Sequence, residues 1–275
     1  MAGTDDLAIV ELDVDDAPAG LALSTEAQWN QNEADWQFFL SHGIVFGVRD
    51  RDHLIATAAL LPYTDGNAWI SMVLVTASWQ RRGIATRLVD ACLEAARKRN
   101  LTVWLDATPA GAAVYGPLGF TPTLELRRLR LTNATRGREG TTALSTVRAD
   151  DLMKRDRSAY GFQRDALLQE FCGRTGSGLA SNGNAIALVR DGRVARHVGP
   201  LFADDAASAI ALVAAIAQSE TRPLIIDAVH AQTDFLNGLV ASGWTVERPF
   251  RRMRFGPRTA PGAEQPFAVA GPEFG

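Results

Sequence analysis

Cysteine is almost absent: Cys92 and Cys172 are the only two among 275 residues. They lie far apart and have no Cys or His companions at metal-ligand spacing, which argues against a disulfide framework and a zinc site. Both read as small buried hydrophobes. Long apolar runs are also missing. No stretch approaches the ~18 unbroken apolar residues of a membrane span, and the opening Met-Ala-Gly-Thr-Asp-Asp has no apolar core of signal-peptide length. We therefore expect a cytoplasmic protein without a membrane partner, in which the glycosylation-like Asn133-Ala134-Thr135 is a chance match. A basic surplus is lacking as well. The 28 Lys and Arg against 31 Asp and Glu leave a net charge of −3 with no long basic run, so no nucleic-acid partner is expected.

What is present is ordinary globular material, 47% hydrophobic and 21% charged, enough to bury a sizeable core. At roughly 100–200 residues per domain, the length suggests two domains. Strands are expected at 7–12, 44–49, 54–62 and 68–75, with helical segments between Asp15 and Leu40 broken near Ser24. From Ile84 to about Asn100, the apolar residues Ile84, Leu88, Cys92 and Ala96 recur every fourth position, joined by Val89 and Leu93. Arg87, Asp90, Glu94, Arg97 and Lys98 take the opposite side, which is the pattern of an amphipathic helix with one buried face. A strand at 101–106, a short helix at 110–117 and a strand at 123–131 follow. Residues 132–142 are polar, glycine-bearing and aperiodic, as a linker is, so the domains are drawn as 1–132 and 143–275. The second half partly repeats the order. Helical segments at 149–173 precede strands at 184–190 and 193–199, then a helix at 205–219, a strand at 223–228, a helix at 231–242 and a strand at 244–254.

The stretch from Val73 to Thr86 carries the most chemistry. An apolar strand runs through Gln80-Arg81-Arg82-Gly83 straight into the amphipathic helix, so unpaired N–H groups point outward at the helix start. With the helix dipole, the small Gly83 and Ala85, and the charges of Arg81 and Arg82, this terminus suits a diphosphate. The residues alone leave several phosphate ligands open, since both the nucleotide-triphosphatase loop and the three-glycine dinucleotide fingerprint are missing.

Gln80-Arg81-Arg82-Gly83-Ile84-Ala85 resembles the Gln/Arg-x-x-Gly-x-Gly/Ala motif of the GNAT acyltransferase superfamily. Downstream, Tyr115-Gly116-Pro117-Leu118-Gly119-Phe120 resembles that family's Tyr-x-x-x-Gly-Phe ending. The resemblance implies an α+β protein of two GNAT-like domains, each a mixed, mostly antiparallel twisted sheet flanked by helices. It implies that acetyl-CoA is the co-substrate and that Gln80, Arg81, Arg82, Gly83, Ile84, Ala85 and Thr86 hold its pyrophosphate. Main-chain groups of Val73 and Val75 would take the pantetheine arm, the N–H of Val75 or a neighbour would stabilise the oxyanion, and Tyr115 would serve as general acid to the sulfur. Where the family has Asn before its catalytic helix, this chain has Asp106-Ala107-Thr108, with Thr108 as a substitute hydroxyl donor.

The expected activity is N-acetyl transfer to a primary amine of a small molecule, amino acid or peptide, without a metal. The alternative is a non-catalytic acyl-CoA sensor or scaffold. Trp29, Asn30 and Asp35 are candidate acceptor-site residues, Trp36 is expected to pack, and Asp35, Glu33 and Asp106 are the carboxylates considered as general base. In the second half the equivalent loop lacks the motif, and Asp204 and Asp205 would repel a diphosphate while capping the next helix. That copy is expected to be degenerate. His197, Asp227 and His230 sit at strand ends and could line a second pocket, although isolated polar residues are the plainer reading. Arg251, Arg252 and Arg254 read as a solvated strand edge, and the tail from Gly256 as packing across the second domain. The sequence leaves room for a homodimer.

Overall fold

A computed structural model of the chain describes residues 7–132, 147–257 and 262–275. The linker from residue 133 onward and the Asn133-Ala134-Thr135 match lie outside the described residues.

The first half runs β1 (Ile9–Leu12), α1 (Ala17–Glu26), α2 (Glu33–His42), β2 (Ile44–Asp50), β3 (His53–Pro62), β4 (Asn67–Val75), α3 (Ile84–Lys98), β5 (Thr102–Ala107), α4 (Pro109–Tyr115) and β6 (Thr121–Leu131). The second runs α5 (Ala149–Tyr160), α6 (Asp165–Gly173), β7 (Gly178–Ser181), β8 (Ala185–Arg190), β9 (Arg196–Ala203), α7 (Ala206–Ser219), β10 (Leu224–Val229), α8 (Thr233–Ala241) and β11 (Thr245–Phe255). Helix α3 buries Ile84, Leu88, Val89, Cys92, Leu93 and Ala96, the face read from the sequence. Helix α2 starts at a capping box in which Asn32 and Asp35 satisfy each other's backbone N–H. The break between α1 and α2 falls at residues 27–32 rather than at Ser24. Ser24 stays helical, and its hydroxyl accepts from the indole N–H of Trp36 at 3.0 Å.

All strands join one eleven-stranded sheet in the order β1-β2-β3-β4-β5-β11-β6-β10-β9-β8-β7. It is antiparallel except where β4 meets β5 and β9 meets β10. The two halves exchange their last strands, so that β11 pairs with β5 and β6 pairs with β10. The exchanged strands share a local pattern, Leu126-Arg127-Arg128-Leu129-Arg130 in β6 and Phe250-Arg251-Arg252-Met253-Arg254 in β11. Arg252 lies directly opposite Asp106 of β5, with Nε and one terminal nitrogen donating to the two carboxylate oxygens at 2.9 and 2.8 Å. Arg128 lies opposite Asp227 of β10 in the same arrangement, at 2.8 and 2.7 Å.

This corrects two expectations. Strand β11 is interior, and Arg252 is a buried ion-pair partner rather than part of a solvated edge. Strand β7, only four residues long, carries too little alternation to be seen in the sequence. The main apolar cluster mixes the halves, with Trp36, Phe39 and Leu61 from the first joined to Phe171, Leu188 and Phe274 from the second. Phe274 stacks on Phe39 with ring centroids 4.8 Å apart.

Arg252→Ala strips the partner from a carboxylate whose side chain is fully buried. We expect it to destabilise the protein by about 3–5 kcal/mol in urea unfolding, and the double variant Asp106→Leu with Arg252→Met to recover most of that loss.

Candidate functional site

Strands β4 and β5 pair only over Asn67–Trp69 and Thr102–Trp104. Beyond those residues they splay. A register shift against β3 follows in β4, between the partners of Thr57 and Ala59, and Met72 there takes φ +51°. The Thr57 hydroxyl donates to the Met72 carbonyl at 2.8 Å and holds the bulge. After it, Thr76 N–H is used by the Ile55 carbonyl at 2.9 Å. The alternation of an antiparallel ladder therefore turns the Val75 N–H away from β3, toward the splay.

The splay opens a cleft of about 700 Å³, including space open to solvent, lined on one side by Ile70, Ser71, Met72 and Val73 and on the other by Leu105, Ala107, Thr108 and Tyr115. Val73, Tyr115 and Trp29, all singled out in the sequence, meet here. Val75 and residues 80–86 are not among its lining residues; Val75 is the last residue of β4, and 80–86 follow further along the chain into α3. There the chain makes a short 3-10 turn, Ala77–Trp79. Glu26 clamps this turn by accepting from Thr76 Oγ1 and from Ala77 N at 2.8 Å. The bond from Ala77 N–H and then that from Thr76 hold the Glu26 carboxyl below its ordinary range. Gln80 donates to the Val75 carbonyl at 3.0 Å. Arg82 donates to the Ser78 carbonyl at 3.0 Å and lies over the Trp79 ring. Arg81 and Arg82 are exposed. Gly83 is the N-cap of α3 with φ +79° and has nothing within 4 Å of where a Cβ would stand. Ile84 is buried, so only its backbone can serve a ligand at this terminus.

Tyr115 is half-buried, and its ring sits 5.9 Å from that of Phe120. It thus packs and lines the cleft at once. Desolvation pushes its phenol up to about 12, which keeps it protonated at neutral pH. Thr108 N-caps α4 by accepting from Gly111 N at 3.2 Å. Both carboxylate oxygens of Asp106 are taken by Arg252, which removes it as a free base. Glu33 is exposed on the first turn of α2.

Trp29 is partly buried on the cleft wall, whereas Asn30 and Asp35 are used structurally. The Asn30 amide donates to the Ala195 carbonyl at 3.1 Å and accepts from Val194 N and Ala195 N at 3.0 Å. Asp35 is buried against Arg174 at 2.6 Å and Arg190 at 3.5 Å. The second half thereby holds the loop that carries Trp29 and Gln31. Trp36 packs, fully buried, as expected.

The matching splay in the second half lies between β9 and β10, whose direct pairing ends at Val198 and Ile226. The tail fills it. Ala268 bridges Leu201 and Ala228, Leu201 N donates to the Ala268 carbonyl at 2.9 Å, and Val269 N donates to the Asp227 carbonyl at 3.0 Å. The tail then crosses to the first half, where the Trp69 indole donates to the Pro272 carbonyl at 3.0 Å. Asp205 caps α7, accepting from Ser208 N at 2.7 Å. His197 and Asp227 are joined at 2.9 Å in the interior. Burial keeps His197 below its ordinary value. Against the cost of burial, the charge of Arg128 and the bond from His197 hold Asp227 well below the carboxylate range. His230 is exposed and apart from them, so the three do not line a common pocket.

Arg128, Arg248, Phe250 and Glu273 also line the cleft, as do Gln31 and Ser71, and none of them stood out in the sequence as a site residue. The Arg-Arg-x-Arg pattern that β6 shares with β11 was the available signal for Arg128; Arg248 and Phe250 precede that pattern in β11. Nothing local distinguishes Glu273. Among the described residues no group of three or more His, Cys, Asp or Glu could hold a metal ion, and no helix is long and apolar enough to cross a membrane.

The profile of the acetyltransferase (GNAT) family matches residues 8–120, and that of an acetyltransferase (GNAT) domain matches residues 152–268. Over 205 residues the chain is 29% identical to the holothin acyltransferase of Pseudoalteromonas sp., covering 70% of this chain and 68% of that one. A solved structure of a candidate acetyltransferase from Pyrococcus horikoshii superposes with a TM-score of 0.82 at 20% identity, covering 100% of this chain and 98% of the other. A tandem GNAT protein from the clavulanic acid biosynthesis pathway superposes with a TM-score of 0.64 at 16% identity, covering 92% and 100%.

Gly83→Ala places a side chain in open space but in a left-handed backbone. We expect a cooperatively folded protein destabilised by about 1–2 kcal/mol in urea unfolding; a loss much larger than that would mean the turn is packed more tightly than its geometry indicates.

Proposed function

The chain belongs to the GNAT acetyltransferase family as a protein with two copies of the fold, and from that premise we propose that its first copy, residues 1–132, transfers an acetyl group from acetyl-CoA to the primary amine of a small molecule, amino acid or peptide. The second copy, residues 143–275, is the degenerate one. The observation that carries this reading is the contrast between the two splays. The first is open and lined by Tyr115, and its strand β4 leads along the chain to a bare helix terminus. The second is filled by Phe267–Ala270 of the chain itself and ends in Asp204 and Asp205.

The first site fits an acyl-CoA. The N–H groups at the start of α3 have no intrahelical acceptors, the dipole adds positive charge, and Arg81 and Arg82 stand exposed beside them. Gln80, Gly83, Ile84, Ala85 and Thr86 complete this cradle for a pyrophosphate, and the β5-facing main chain of Val73 and Val75 offers hydrogen bonds to an extended amide-bearing arm. When bound, acetyl-CoA supplies the activated thioester.

The chain's own groups then have two tasks. The Val75 N–H, directed into the splay, donates to the oxygen that gains charge; a fixed donor of this kind is worth roughly 10²–10³ in rate. The Tyr115 hydroxyl, protonated at neutral pH, donates its proton to the departing sulfur. The acceptor amine must arrive neutral, and its proton leaves to water, since the cleft carboxylates Asp106 and Glu273 are held by Arg252 and Arg190.

Tyr115→Phe should leave acetyl-CoA binding unchanged in calorimetry while lowering kcat for CoA release about 10²–10⁴-fold. Unchanged release would remove Tyr115 as the acid and favour a sensor that binds acyl-CoA without turnover. Because the phenol is held at about 12, wild-type activity should show no Tyr115-dependent fall between about pH 8 and about pH 10, where an ordinary tyrosine would already be ionising.

A further inference from the structure

The cleft has an unbalanced charge. Four charged residues line it: Asp106, Arg128, Arg248 and Glu273. Asp106 is answered by Arg252 and Arg128 by Asp227. Glu273 is answered by Arg190, at 3.4 Å. Glu247, the neighbour of Arg248 in β11, is engaged by Arg130. Among the described residues no carboxylate lies within ion-pair distance of Arg248, and its Nε is buried without a hydrogen-bond partner. Its guanidinium is held over the Phe250 ring at 5.3 Å, and the same ring also supports Arg128 at 5.3 Å. Burial, with the like charge of Arg128 beside it, lowers the pKa of Arg248. An anion bound there would offset both effects.

Two further lining atoms lack partners. Gln31 Oε1 and Ser71 Oγ are buried without hydrogen bonds, in residues only 4% and 8% exposed. A buried unpaired acceptor is costly, so these atoms call for an N–H group from something that enters the cleft. Arg248 calls for an anionic oxygen. Both demands are met by one small molecule that carries an amine and an acid group.

We propose that the acceptor is a primary amine bearing a carboxylate, and that the cleft selects it by docking the carboxylate on Arg248 while Gln31 and Ser71 accept hydrogen bonds from its amine end. This rests on the transferase reading above and narrows it from amines in general to amino-acid-like acceptors. It also gives the exchanged strand β11 a chemical task, since the specificity residue of the first copy is supplied by the second.

The test uses the full-length protein and matched probes: a panel of α-amino acids, their carboxamides and their phosphonate analogues. CoA release is followed with acetyl-CoA, and direct binding of each probe is followed by calorimetry in the presence of CoA. For the wild type we expect an amino acid to exceed its carboxamide by about 10–100-fold in kcat/KM and in affinity, the range of a charge-assisted contact. Arg248→Gln should erase that advantage, chiefly through KM. It should leave the carboxamide and the Kd for acetyl-CoA unchanged, while Arg248→Lys should restore part of the preference.

Equal use of acid and carboxamide by the wild type would overturn the proposal. So would a preference for phosphonates, or an Arg248→Gln protein that loses acetyl-CoA affinity, since Arg248 would then serve the donor. Arg248-dependent binding of amino acids without any CoA release would uphold the subsite and instead defeat the transferase reading.

Discussion

Two buried arginine–aspartate pairs hold the architecture. Arg252 reaches from the second half to Asp106 in the first, and Arg128 reaches from the first half to Asp227 in the second, each spanning a strand that has crossed to the other copy. Charges are not taken out of water to gain stability, because desolvation offsets most of the attraction. What such a pair imposes is register. A slip of β11 by one residue against β5 would bury Arg251 or Met253 opposite Asp106 and leave a carboxylate without a partner. The same logic fixes β6 against β10. Strand exchange and the two pairs are therefore one constraint, and the walls of the cleft depend on it, since Arg128, Arg248 and Phe250 are all carried on those strands.

Within that frame the copies have diverged by what occupies the gap between parallel strands. Where β4 leaves β5, the gap stays open and leads to an exposed helix terminus. Where β9 leaves β10, a peptide from the same chain supplies main-chain hydrogen bonds to Leu201 and Asp227. Closing one gap with the tail also delivers Pro272 and Glu273 to the wall of the other. The second copy is thus part of the first copy's cleft: it contributes its last strand, its tail and the residues 191–195 that pin the loop around Asn30.

The sequence disclosed the features that short-range physics controls. The buried face of α3 follows from a four-residue repeat, and the exposed, glycine-capped start of that helix from Gly83 and its neighbouring arginines. The cap at Asp205 follows from one acidic side chain before an apolar helix. Tyr115 and Val73 were placed by motif and do meet in one cleft. What could not be read involves partners far apart in the chain. Arg252 looks solvated in a strand of alternating arginines until Asp106, 146 positions away, is set opposite it. Asn30 and Asp35 look like free polar groups in an acceptor loop until Ala195, Arg174 and Arg190 are brought to them. The repeated Arg-Arg-x-Arg of β6 and β11, with Asp in β5 and β10, is the one written trace of the exchange.

The interior place of β11 also bears on how the protein is made. Strand β5 is complete at Ala107, but the strand that covers its free edge ends at Phe255, about 150 residues further on. At ordinary elongation rates, that is about 8–30 s of synthesis. During that interval the nascent first half exposes an unpaired sheet edge on which Asp106 has no counter-ion, while β6 waits for a neighbour not yet translated. The sheet therefore cannot close before Phe255 has been made, and until then the nascent first half is open to chaperones and to pairing with the wrong chain.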